Sequence, residues 1–454
     1  MCESSHFQFH PRCKDIKLTH ICFADDLILC SKGDYQSILL LLQAFKLFSN
    51  SAGLKANQQK SSVYCHGMPE SEVQRVVDVS GFSRSFLPFK YLGVPICSKK
   101  NTVAQCGHLV DKMITRIMIW SSRNLSYTAR MQLINSVLIS LHMYWAQIYV
   151  LPKSVLQDIV RIYRAFPWSG QAFSQKPSNI AWDKVCCDKQ HGGLGFRDVV
   201  LWNMAFIGKY VWALVKKQDN IWIRWITSVY LKDGEWWDYQ PSSSASWYWR
   251  QICVTKEKLK QFFTLSDLEG MAHYSVKQVY EKMLDLKPRV HWDRLAWNRL
   301  LTPKHRFICW LAAQCRLQTT AKLARIGISQ SALCLICGLQ DEDHNHLFFQ
   351  CQFSYQIMQA MQQWLGVPMA GTLHQLVRKI GHSRVSKFRK QVIFAAIGTA
   401  VYLIWKSRNA SFWDNQIPTI SHTVSSLKKL VKGRIQVVLP KTVSKRGYDW
   451  FITL

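Results

Sequence analysis

The run Val392–Trp405 (VIFAAIGTAVYLIW) constrains the fold more than any other stretch of this sequence. Crossing a bilayer's hydrocarbon core takes about 20 consecutive apolar residues. At 14 residues this run falls short, so membrane insertion is set aside and a buried core helix is predicted. A helix of that kind needs a large apolar cover. The chain can supply one, because 48% of its 454 residues are hydrophobic and only 19% are charged. That balance also excludes long disorder. At roughly 150 residues per domain, the length suggests two to four domains.

The first hundred residues read differently from the rest. Leu18 to Phe23 and Leu27 to Cys30 are short β-like runs meeting at Ala24-Asp25-Asp26, which predicts a hairpin with carboxylates at its tip. Asp34 is a candidate N-cap for a helix carrying Ile38, Leu41, Leu42, Phe45 and Phe48, with Gly53 as its stop. Ser61–Cys65 and Tyr91–Ile96 read as further strands. After about residue 103 the spacing turns helical: Leu109, Met113, Ile117 and Trp120 share one face, and Ser126–Tyr149 forms a second amphipathic run ended by Pro152. Lys176-Pro177-Ser178 and His191-Gly-Gly-Leu-Gly195 mark loops, the latter a tight turn rather than a phosphate cradle. The serine-rich 240–247 stretch is the candidate domain boundary. Met1 to His10 lacks the basic and apolar regions of a signal peptide. Fifteen Cys, an odd number thinly spread, fit reduced intracellular thiols better than a disulfide framework.

Two groups of residues carry candidate chemistry. Adjacent carboxylates on a hairpin tip, Asp25 and Asp26, present hard oxygen ligands of the kind Mg²⁺ prefers. Cys334-Leu-Ile-Cys337 brings two thiols to one point, and His344, His346 and Cys351 follow within 14 residues. Tetrahedral zinc takes four such N and S ligands in a closed structural site; spacing alone leaves His344 and His346 as alternatives. The adjacent Cys186 and Cys187 point apart and read as core. The pairs Trp222/Trp225 and Trp236/Trp237 read as packing rather than base-stacking platforms.

Charge narrows the partner. Lys plus Arg is 58 against 28 for Asp plus Glu, a net +30, which points to a polyanion, with nucleic acid ahead of an anionic membrane surface. From His344 to Leu454 there are 15 basic residues and only two acids, Asp414 and Asp449. Arg384, Lys387, Arg389 and Lys390 form one cluster, and Lys428, Lys429 and Lys432 another. Between Val79 and Arg130 the only acid is Asp111, while Lys112, Arg116, Arg123 and Arg130 are basic.

Several ordered motifs resemble those of one family. Phe23-Ala-Asp-Asp26 between apolar strands is similar to the motif at the centre of reverse transcriptases. Gly53-Leu-Lys-Ala-Asn-Gln-Gln-Lys-Ser61 and Phe89-Lys-Tyr-Leu-Gly-Val-Pro-Ile96 resemble the segments that follow it in LINE-type (non-LTR) retroelements of plants. Phe9-His-Pro11, Cys13, Leu18-Thr-His20 and His191-Gly-Gly-Leu-Gly-Phe-Arg-Asp198 fit the same order. Cys-x2-Cys followed by His346-Leu-Phe-Phe-Gln-Cys351 resembles the zinc-binding domain of plant reverse transcriptases. This likeness selects His346 and implies Cys334, Cys337, His346 and Cys351 as zinc ligands, with His344 a substitute or supporting residue.

The resemblance implies an α+β, predominantly α chain: a partial palm at 1–97, a helical thumb and connection at 98–240, a zinc-binding domain at 248–370 and a basic helical region at 371–454. It implies that Asp25, Asp26 and Lys60 are remnants of a polymerase site, with Tyr91 near the primer end. A two-metal site needs carboxylates that hold both ions, and the family's further Asp and template grip would precede Met1. The expected product is therefore a truncated reverse transcriptase that binds nucleic acid and zinc without polymerising alone. Mg²⁺ enters only if the polymerase site is completed. An active RNA-directed DNA polymerase, with the upstream palm and fingers restored, is the enzymatic alternative. A zinc-stabilised adaptor or decayed relic is the third reading. RNA or DNA is the expected partner, with no membrane and no small-molecule substrate, and a nuclear location follows from the resemblance.

Overall fold

The computed structural model describes residues 5–97, 102–175, 179–232, 234–284, 287–368, 370–439 and 443–454. The expected loop at Lys176–Ser178 lies outside these. The chain is α+β and mostly helical, and its short strands pair two at a time. It forms two compact units. One comprises Met1–Lys112, Ser140–Asp158 and Val199–Leu284, and the other Met113–Ile139, Ile159–Asp198 and Asp285–Leu454.

In the first unit, His20–Phe23 and Asp26–Leu29 make the predicted antiparallel hairpin, with Ala24 at φ +51 in its two-residue turn. Asp34 caps the helix Tyr35–Ala52 by accepting the Ser37 amide at 2.8 Å, and Gly53 ends it in the left-handed region at φ +70. The expected strand at 61–65 shortens to Ser62–Val63, paired in parallel with Ser83–Arg84. The segment expected as one strand, Tyr91–Ile96, is instead half of a second hairpin, Phe89–Tyr91 against Val94–Ile96. Leu92 and Gly93 both take positive φ, +48 and +80, and reverse the chain between them.

The core of this unit is the helix Val199–Val215, packed by Trp247–Leu259, Leu265–Glu269 and Val276–Met283. The tryptophans pack as expected: Trp236 and Trp249 are buried with ring centroids 5.2 Å apart, and Trp222, Trp225 and Trp237 lie against the same cluster. Two buried polar residues tie down turns. Asn203 donates to the carbonyls of Ala146 and Tyr149 at 2.9 and 2.8 Å and accepts the Leu151 amide at 3.0 Å. Lys256, fully buried, donates to the carbonyls of Trp236, Trp237 and Tyr239 at 3.2, 2.8 and 2.7 Å. The serine-rich 240–247 stretch lies inside this unit, where Ser246 caps the helix Trp247–Leu259.

The second unit is built around the predicted apolar helix, which runs from Lys387 to Asp414. Every residue from Val392 to Val401 is buried, covered by Asp293–Ala296, Pro303–Ala313, Gln352–Leu365, Leu373–His382 and Ile420–Val437. Close approach requires Gly398, because a Cβ there would sit 2.6 Å from Leu301 Cδ1. Gly193 is tighter still: a Cβ would lie 1.8 Å from the Cys187 carbonyl oxygen, so the glycine run is the expected tight turn. The run expected at 126–149 is helical from Tyr127 to Ala146, with a π-turn over Ile134–Leu138.

Candidate metal centre and basic surfaces

The metal centre begins with a hairpin too short to count as two strands. Leu333 and Asp341 bridge antiparallel, and the Cys334 amide donates to the Gln340 carbonyl at 2.8 Å. The chain between them turns tightly: the Gly338 amide returns to the Cys334 carbonyl at 2.8 Å, with Gly338 at φ +67. This knuckle sets Cys334 and Cys337 side by side. The other two ligands come from the single π-turn His346–Gln350, closed by the Cys351 amide donating to the His346 carbonyl at 2.7 Å. In a regular α-helix, residues five apart would be rotated about 140° from each other. The wider π-turn returns Cys351 to the side of His346.

The ligand atoms of Cys334, Cys337, His346 and Cys351 all lie within 4.8 Å of one another, the one such group among the described residues. Cys334 and Cys351 are buried at 2% and 0% exposure. The donor set passes the test for zinc: three sulfurs and one imidazole nitrogen converge, and all but the half-buried Cys337 are buried. His346 points Nε2 at Cys337 Sγ, 3.3 Å away, while Nδ1 faces Gln340 Oε1 at 3.1 Å. That second contact places the ring proton on Nδ1 and leaves the Nε2 lone pair for a metal. The Cys334–Cys351 thiol pairing lowers Cys351 and, together with burial, raises Cys334. When bound, a zinc ion would cross-link the knuckle to the π-turn, and its charge would deprotonate these thiols.

His344 is not part of the cluster. Its Nε2 accepts the Leu317 amide at 3.2 Å, and burial beside Lys322 lowers its pKa to about 4, keeping it neutral for that task.

Sequence reasoning missed the groups that hold the knuckle in place. Glu342, fully buried, accepts the Thr320 amide and the Arg408 guanidinium through Oε1 at 3.0 and 2.9 Å, and the Leu335 amide through Oε2 at 3.3 Å. Ser411 donates to the Leu335 carbonyl at 2.7 Å, and Asp343 accepts the His346 amide at 2.7 Å. The knuckle is thus pinned to the long helix Lys387–Asp414. The available signal was a run of polar residues, Gln340-Asp-Glu-Asp343, inside the ligand window.

The other predicted site residues are dispersed. Asp25, Asp26 and Lys60 are all exposed, the first two on the hairpin tip and the third in a turn after Asn57. No third carboxylate, Cys or His clusters with Asp25 and Asp26 among the described residues. Tyr91 is half-buried, with its hydroxyl buried and unpartnered. Lys112, Arg116 and Arg123 are exposed, but Arg130 is committed: it donates to the Pro167 carbonyl at 3.4 Å and lies over the Tyr127 ring. In the C-terminal cluster Arg384 and Lys387 are exposed. Arg389 lies over Trp450 at 4.6 Å and Lys390 donates to the Gly381 carbonyl at 2.8 Å. The helix Ile420–Val437 buries Thr423, Leu427, Val431 and Ile435, leaving Lys428, Lys429 and Lys432 off that face, with Lys428 over Trp364.

Comparison with known proteins agrees with these two regions. Residues 4–96 match the family described as reverse transcriptase (RNA-dependent DNA polymerase), and residues 274–357 match the family described as zinc-binding in reverse transcriptase. A putative ribonuclease H protein of Arabidopsis thaliana is 28% identical over 165 residues, which is 36% of this chain and 26% of that relative. An uncharacterized mitochondrial protein of Arabidopsis thaliana is 27% identical over 123 residues, 27% of this chain and 80% of that relative. These two regions are thus similar to a reverse transcriptase and to its zinc-binding region, and the converged Cys and His ligands fall within the second match. No helix among the described residues is long and apolar enough to cross a membrane.

Proposed function

We propose that this chain is a C-terminal part of a LINE-type (non-LTR) reverse transcriptase of the plant kind, and that it binds nucleic acid through surfaces braced by one structural Zn²⁺. The observation that carries the reading is the converged Cys334, Cys337, His346 and Cys351 group, lying C-terminal to a hairpin that bears Phe23-Ala-Asp-Asp26. The divisions at 97 and 370 and a nuclear location belong to the same proposal, whereas the boundary expected at 240 falls inside the first compact unit. RNA and DNA both fit, because phosphate binding by exposed Lys and Arg is indifferent to sequence.

The 454-residue polypeptide does not polymerise by itself on this reading. Asp25 and Asp26 stand on an exposed turn without a third carboxylate among the described residues, and in-line phosphoryl transfer needs two ions held together. One observation favours a polymerase role in a larger assembly. The hairpin leaves Ile21, Phe23, Leu27 and Leu29 at 47, 58, 36 and 37% exposure, apolar faces suited to a further strand layer that would also complete the metal site.

Two assays test the proposal. The zinc-loaded chain should bind single-stranded 20-mers with an affinity that falls steeply as salt rises, by about 0.7 log units per log unit of salt for each phosphate contact. Substituting the exposed Arg384 and Lys387 by Gln should shallow that slope. A flat salt response would favour the adaptor reading. On a primed RNA template no extension is expected; extension abolished by Asp25→Ala would refute the inactive reading.

A further inference from the structure

A second feature of the second unit has no part in the metal centre. A cavity of about 330 Å³ opens between Leu300, the helix Pro303–Ala313, the long helix Lys387–Asp414 and the helix Ile420–Val437. Leu300, Leu430 and Val431 supply apolar wall, and Lys429, Arg434 and His305 supply the polar groups; no carboxylate lines it. Arg434 Nε is buried in this region without a hydrogen-bond partner. The nearby charges compound the imbalance. Arg434 acts on both His305 and Arg306, Arg299 adds to Arg306, and Lys304 adds to His305, so the neutral His305 is surrounded by the cations Arg434 and Lys304. Arg306 spends donors on the carbonyls of Asn298 and Arg299 at 2.7 and 2.9 Å, neutral acceptors that leave its charge uncompensated. His305 Nδ1 meets Thr399 Oγ1 at 3.4 Å, and that hydroxyl already donates to the Ala395 carbonyl at 2.8 Å.

A buried guanidinium donor without an acceptor, in a cavity ringed by like charge, is costly unless an anion completes it. Arginine's planar fork suits a tetrahedral oxyanion, and Lys429, exposed at the edge, adds a second charge. We propose that this cavity is a phosphate-binding site in which Arg434 and Lys429 hold one phosphate group, supplied by a nucleic-acid strand or by a free phosphate compound. The strand case rests on the function proposed above and locates one of its contacts. The cavity's apolar wall gives the sugar or base beside that phosphate a dry surface to lie on.

The test uses the full, zinc-loaded chain, with zinc content and circular dichroism checked for each variant. Pyrophosphate should raise the thermal midpoint of the parent, and Arg434→Gln combined with Lys429→Gln should abolish the rise; Arg434→Lys alone should retain part of it. In parallel, a fluorescein-labelled single-stranded 20-mer should bind the double variant more weakly, with a salt slope shallower by about 0.7 for each lost contact. A double variant that responds to pyrophosphate like the parent overturns the site. Strand binding unchanged in affinity and slope, alongside a lost pyrophosphate response, assigns the cavity to free phosphates. A parent that responds to pyrophosphate but binds no strand does the same and refutes the proposed function instead of the site.

Discussion

Replacing Glu342 by Ala should destabilise the second unit more than any surface change and loosen its hold on metal. The carboxylate serves three donors at once, the amides of Thr320 and Leu335 and the guanidinium of Arg408, which is itself only 4% exposed. Removing one partner of a buried ion pair costs about 3–5 kcal/mol, because the other charge stays buried and uncompensated. Each orphaned amide adds a share of about 1–3 kcal/mol where water cannot reach it. For a unit of this size each kcal/mol lowers the thermal midpoint by about 2–4 °C, so a fall of about 6 °C or more is expected for the zinc-loaded chain. The Leu335 amide lies inside the knuckle, so zinc transfer to a chromogenic chelator should also be faster. The discriminating variant is the pair Glu342→Leu and Arg408→Met, which removes both charges together and should recover the share of the loss due to the unpaired guanidinium, leaving that of the Thr320 and Leu335 amides. A single Glu342→Ala chain that melts within 2 °C of the parent would refute the reasoning, as would a double variant worse than the sum of its parts.

Three further outcomes follow from the same geometry. Burial and the neighbouring cations Lys304 and Arg434 lower His305 to about 4 from an ordinary 6.5. The unfolded chain therefore takes up a proton that the folded chain refuses: the stabilisation is complete above about pH 6.5 and is lost as pH falls toward 4, by about 2 kcal/mol at pH 5. Urea titrations at pH 7 and 5 should show His305→Gln losing that much less than the parent; equal losses would contradict it. Gly398→Ala should cost about 1–3 kcal/mol through overpacking, since its Cβ would meet Leu301 Cδ1 at 2.6 Å, and a neutral result in denaturant melts would show the helix free to shift. Lys256→Met should destabilise the first unit by about 1–3 kcal/mol, because three turn carbonyls lose their donor; proteolysis within 236–239 is the readout, and unchanged resistance would refute it.

What could be read from the sequence divides along physical lines. The apolar run at Val392–Trp405 has no polar face, and a run without one must be buried wherever it lies; the helix found there is buried continuously from Val392 to Val401. Asp34 and Gly53 were readable because capping is local chemistry, settled by a side chain and the amide three residues on. Cys334 and Cys337 were readable because a knuckle fixes two thiols by spacing, whereas His346 was separated from His344 only by the family resemblance. The turn inside Phe89–Ile96 was not, because Leu92 adopts a positive φ that its residue type does not announce. Glu342 and Arg408 are 66 residues apart, and nothing local in either says that they meet. The same limit applies to the basic residues. Arg130, Arg389 and Lys390 look like the exposed Arg384 and Lys387 in sequence, yet each is held by a carbonyl or a ring within the fold.

X-ray absorption on the purified chain tests the metal centre most directly. One zinc per chain is expected, with three sulfurs at about 2.3 Å and one nitrogen at about 2.0–2.1 Å, and Cys351→Ser should remove one sulfur from that shell or abolish binding. A chain that purifies without zinc and takes up none, or a shell with two sulfurs and two nitrogens, would contradict the assignment of Cys334, Cys337, His346 and Cys351.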